Sequence, residues 1–186
     1  MRKLLYIPII HDQSDLGSLG PALEKASSSY LGERRWARHK ETVAAFWRAI
    51  EGFLSSVDAK ALNIYQDGLA AEGELGRKVV EEAARRGSKN HLVLLDLIAR
   101  GAELRNSEDI RLLLEEGEHL LEATQGGPET PEVFDKIEYQ KRKEQLTDQR
   151  DKFVADRINQ TLREGETGVH VRGADHAVLR HLPEDI

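Results

Sequence analysis

Two periods alternate along this chain, and they divide it into strands and helices. Residues 4–10 form an unbroken apolar run with Tyr and Ile, the composition of a strand buried on both faces. A loop rich in Ser, Gly and Pro follows through Gly17, Gly20 and Pro21, and residues 22–30 then carry a weak helical signal. Residues 33–54 carry a strong one, with Val43, Phe46, Trp47, Ile50 and Leu54 on one face. ALNIYQ at 61–66 reads as a second strand, closed by Asp67-Gly68. Residues 73–86 are predicted helical with Leu75, Val79 and Ala83 inward; Gly87-Ser88 ends that helix, and Ser88 can cap the next. The apolar run at 91–99 favours a buried helix over a strand through its Leu and Ala content.

Residues 102–105 make a third, very short strand. Ser107 followed by Glu108 and Asp109 is a helix start, since acids favour the positive end of the helix dipole. Ile110, Leu113, Leu114 and Leu121 give that helix its face. QGGPETP at 125–131 is a turn or linker, and residues 132–163 are mostly helical and highly charged, with few core positions before residue 149. The segment 132–149 therefore either projects into solvent or packs on a second subunit, which makes the chain a candidate homo-oligomer. Residues 168–172 form the last strand, Val169 and Val171 facing one way and His170 and Arg172 the other, so that one face is expected to be exposed.

Strands alternating with helices imply a single α/β domain over residues 1–186. Its predicted sheet is small, mainly parallel and of about four strands, with one long charged helix before the last of them. Ligands of such sheets gather beyond the C-terminal strand ends. His11-Asp12, Asp67, Asn106 and His176 fall at those ends. Helical spacing places Asp151, Val154 and Ile158 on one stripe with Arg150 beside it, opposite Lys152, Asp156, Asn159 and Arg163. Arg150 and Asp151 thus open an inward-facing helix, and charges placed there need partners, because unpaired burial is costly. A structural ion pair and a functional site both satisfy that need.

Composition narrows the classes. A chain of 186 residues is long enough for one domain with a real core. A net charge of −6 with acids and bases mixed argues against a dedicated nucleic-acid surface. The absence of cysteine removes disulfides, thiol catalysis and cysteine-bound metals. The start MRKLLYIPIIHD is short, contains Pro8 and lacks a small-residue cleavage site, so a strand is expected there and not a signal segment. No later run is long enough to span a bilayer, and a cytoplasmic setting is the default expectation.

Gly173-Ala174-Asp175-His176, with Arg150-Asp151 and Phe153-Val154-Ala155 before it, resembles the superfamily that joins TraB proteins, Tiki proteases, erythromycin esterases and ChaN-type haem-binding proteins. Members repeat a Gly-x-x-His motif after the first strand and after a late one. His11 matches the first histidine without the glycine three positions earlier, and Asp67 matches the acid after the second strand. The IPIIH, IYQDGL, GSKN and LPEDI stretches also look like a microbial branch that implies no activity. The resemblance implies a site of His11, Asp67, Arg150, Asp151 and His176, with Gly173 against the ligand.

Two histidines with nearby carboxylates suit two chemistries. His11, Asp67 and His176 can hold a divalent ion such as Zn, Mn or Co with a position open for water. Alternatively one histidine acts as general base toward water, oriented by an acid, while Arg150 steadies an oxyanion or a carboxylate. The expected function is hydrolase-like, on a small molecule or peptide. The alternatives are a non-enzymatic binder of haem or another small ligand, and a self-associating structural protein. His39, His91, His119, His170 and His181 are expected at the surface or along helices, and Trp36, Phe46 and Trp47 in the core.

Overall fold

The structure is a computed structural model that describes residues 1–9, 20–125 and 136–186, with side chains described at 1–9, 24–121 and 137–186. In chain order the elements are β1 (Lys3–Ile9), α1 (Gly20–Leu31), α2 (Glu33–Ser55), β2 (Leu62–Gln66), α3 (Gly73–Arg85) and α4 (Lys89–Ala99). They continue with β3 (Glu103–Arg105), α5 (Ile110–Gln125), α6 (Lys136–Thr161), β4 (Thr167–Gly173) and a 3₁₀ turn, Val178–His181.

The strands form one all-parallel sheet in the order β1-β4-β2-β3. This is the expected α/β layer fold, with the long charged helix before the last strand. The last strand enters between the first two: Tyr6 and Tyr65 both align with His170. One face of the sheet packs Ile64, Val169 and Val171 against Trp47 and Leu54 of α2, Val80 of α3 and Leu94 and Leu97 of α4. The other packs Tyr65 against Val154, Ala155 and Ile158 of α6 and Leu162 just beyond it. Side chains alternate between these two layers along every strand.

Several elements depart from the periodicity reading. β1 lies at a sheet edge and is half-buried up to Ile9, not buried on both faces; Pro8, which has no N–H to give a ladder, is tolerated at such an edge. In α3 the inward residues are Gly76, Val80 and Ala84, one position after the expected stripe, while Leu75 and Val79 are exposed. Gly76 sets that phase, because an added Cβ there would lie 2.8 Å from the carbonyl oxygen of Ala71. In α5, Ile110, Leu114 and Leu121 face outward, and the inner side carries Glu116 and His119 toward α6.

α5 begins at Ile110, where Asp109 accepts the Arg111 N–H at 2.8 Å; Ser107 and Glu108 turn inward instead. α6 is continuous, so Arg150 and Asp151 lie in its second half and do not open it. Its first half lies along α5, with Leu146 buried and Tyr139 stacked on His119 at 4.1 Å between ring centroids. The His170–Arg172 face of β4, expected to be exposed, is fully buried on the α6 side of the sheet. His119 is buried as well. Alternation correctly separates the two faces of β4, but says nothing of what covers each.

Candidate functional site

The C-terminal ends of β2, β3 and β4 meet at a layer of buried charges. β2 runs into Asp67-Gly68, and Gly68 adopts φ 73°, a left-handed turn that favours glycine. That turn aims both Asp67 oxygens at neighbouring elements. Oδ2 accepts the Gly173 N–H at 2.9 Å, tying the ends of β2 and β4 together. Oδ1 accepts from Arg150 Nη2 at 3.0 Å and from Arg172 Nη1 at 2.8 Å.

Glu108, just past β3, lies between the same two guanidiniums. Its Oε1 accepts from Arg150 Nη2 at 2.6 Å, from Arg172 Nη1 and from the Gly68 N–H at 3.3 Å. Its Oε2 accepts from Arg150 Nε at 3.2 Å. Glu116 of α5 takes the remaining arm of Arg150, Nη1, at 2.5 Å. Burial alone would weaken Arg150's hold on its proton, but Glu108, Asp67 and Glu116 outweigh it and raise its pKa above the ordinary arginine value.

Asp151 and His176 occupy the outer edge of this layer. Asp151 Oδ1 lies 2.6 Å from His176 Nδ1 and 3.2 Å from Arg172 Nη2, which in turn lies 3.0 Å from His176 Nδ1. Asp151 Oδ2 accepts the Ala177 N–H at 2.7 Å. Burial pushes the Asp151 carboxyl up; the bonds to His176 and Ala177 and the charge of Arg172 outweigh that and hold it below the usual carboxylate range. From the edge strand β1, Tyr6 donates its hydroxyl to the His176 carbonyl oxygen at 3.3 Å. Among the described residues His176 Nε2 has no hydrogen-bond partner, and the ring lines a cleft of about 880 Å³ between α5, α6 and the loop after β4.

Four of the expected residues, Asp67, Arg150, Asp151 and His176, therefore converge. Gly173 joins them, its N–H bound to Asp67 Oδ2. His11 lies outside the described residues. Among the described residues no three His, Asp or Glu side chains are grouped to hold a metal ion. Three participants went unanticipated: Glu108, Glu116 and Arg172. Arg172 had a signal, being a charge in a strand whose inward alternation it shares with His170. Glu108 had a misleading one, because its place beside Ser107 imitates a solvated helix start.

Fold and site define an all-parallel α/β protein with a buried ionic layer at the C-terminal ends of its strands. The chain matches no known protein family, no characterised protein and no solved structure.

Proposed function

We propose that this protein is a hydrolase in which His176 draws a proton from water through Nε2 while Asp151 orients the ring through Nδ1. The observation that carries this reading is the 2.6 Å Asp151–His176 contact in a ring whose other nitrogen is uncommitted at a cleft wall. A base oriented by a buried acid is the arrangement water activation requires. The hydroxide attacks an electrophilic carbon, and the imidazolium, steadied by Asp151, returns its proton to the leaving group. The resemblance of Gly173–His176 to the TraB and erythromycin esterase superfamily points the same way.

Asp67, the described carboxylate of the expected donor set, is poorly placed for a metal ion. Both Asp67 oxygens are already bonded, and Arg150 and Arg172 stand within 3.0 Å of Oδ1, where their charges would repel a dication. Among the described residues six carboxylates line the cleft against three cations, and of those cations Arg150 and Arg180 are paired to acids. That lining suits a neutral or cationic polar substrate, and neither an anion nor the apolar faces of haem.

The test is a panel of chromogenic esters, amides and phosphoesters, each in neutral, cationic and anionic forms, assayed with and without a chelator. Turnover should favour the neutral and cationic members, survive chelation, and fall about 10²–10⁴-fold in His176→Ala. Turnover that is equal in wild type and His176→Ala, or that disappears with the chelator, overturns the mechanism. Saturable binding of a panel member without turnover favours the ligand-binding reading instead.

A further inference from the structure

Arg172 Nη2, Asp151 Oδ1 and His176 Nδ1 form a triangle with sides of 3.2, 3.0 and 2.6 Å. A guanidinium only donates, a carboxylate only accepts, and an imidazole nitrogen does either. Were Nδ1 bare, two lone pairs would face one another at 2.6 Å, a separation that only a charge-assisted hydrogen bond sustains. Nδ1 therefore carries the hydrogen and donates to Oδ1. Arg172 Nη2 donates to the same oxygen, and its approach to Nδ1 is that of two donors sharing one acceptor. The lone pair is left on Nε2.

We propose that Arg172 is the positioning residue of the Asp151–His176 pair, fixing the carboxylate so that its Oδ1 keeps the ring in the Nδ1–H form. The consequence for catalysis rests on the reading of His176 as a base; the geometry does not. The guanidinium is wholly buried, and its other arm, Nη1, is held by Asp67 and Glu108 from the ends of β2 and β3. A planar fork gripped at one end cannot rotate at the other. Asp151 is thus pinned from three directions, by Arg172, by the Ala177 N–H and by its own helix.

The experiment needs no substrate. In the full chain labelled with ¹⁵N-histidine, at mildly alkaline pH, His176 should show a pyrrole-type Nδ1, a pyridine-type Nε2 and a far-downfield, slowly exchanging Nδ1 proton. Arg172→Lys keeps the charge but loses the fork, and should speed exchange of that proton about tenfold, the scale of one charged hydrogen bond. Glu108→Gln loosens the opposite arm without touching Asp151 or His176 and should act in the same direction, which keeps the test available if Arg172→Lys does not fold. A bare Nδ1 in the wild type overturns the proposal, as does unchanged proton exchange in a folded Arg172→Lys or Glu108→Gln. The expected ring signatures in a protein that turns over no substrate would uphold Arg172's role while removing the hydrolase reading.

Discussion

Replacing His170 with phenylalanine should remove a large part of this protein's loss of stability in mild acid. His170 is fully buried on the α6 face of the sheet; its Nδ1–H donates to the Tyr65 carbonyl at 3.1 Å, and among the described residues its Nε2 has no partner. Burial is the chief reason its pKa falls to about 4, with the charge of Arg172 adding to it and the Tyr65 bond opposing. In the unfolded chain a histidine titrates near 6.5. Between those values the unfolded chain binds the proton and the folded one does not. The stabilisation is complete above about 6.5 and is lost as pH falls toward about 4. At about 1.4 kcal/mol per pKa unit the full effect is about 3 kcal/mol, of which about 2 kcal/mol is gone on moving from pH 7 to pH 5. Urea titrations of wild type and His170→Phe, followed by circular dichroism at both pH values, measure it. Wild type should lose about 2 kcal/mol more than the variant, whose other titrating groups are the same. Equal losses would refute the buried neutral imidazole.

Arg150→Met takes from the buried Glu108 and Asp67 one of the two guanidiniums described beside them, and should destabilise by about 3–5 kcal/mol in chemical denaturation; a loss under about 1 kcal/mol contradicts the ionic layer as a structural element. Arg100 donates to the Leu54 carbonyl at 2.8 Å and the Val57 carbonyl at 2.9 Å, at and just beyond the end of α2, where cations also meet the negative end of the helix dipole. Arg100→Ala should therefore cost about 1–2 kcal/mol, read from the shift in thermal midpoint. Gly76→Ala drives a methyl group to 2.8 Å from the backbone of Ala71, and should cost about 1–3 kcal/mol by urea titration; a neutral result would mean that α3 is free to shift.

By itself the sequence determined the elements and their class, because their causes are local. The period of Val43, Trp47, Ile50 and Leu54 made α2 legible, ALNIYQ marked β2, and Ser88 was recognisable as the cap it is, accepting the His91 N–H at 3.2 Å. The inward turn of Arg150 and Asp151 was also written in spacing, as was their need for partners. Which partners they would find was not. Glu108 from the loop after β3, Glu116 from α5 and Arg172 from β4 reach the pair, and they do so because β4 inserts between β1 and β2 and brings the end of that strand beside the ends of β2 and β3. Strand order is a property of long-range packing and leaves no periodic trace in any one segment. The same cause rotated the faces of α3 and α5. A hydrophobic stripe shows which side of a helix prefers burial, but a close glycine contact at Gly76, or a buried arginine requiring a carboxylate from α5, outweighs that preference once the layers are assembled.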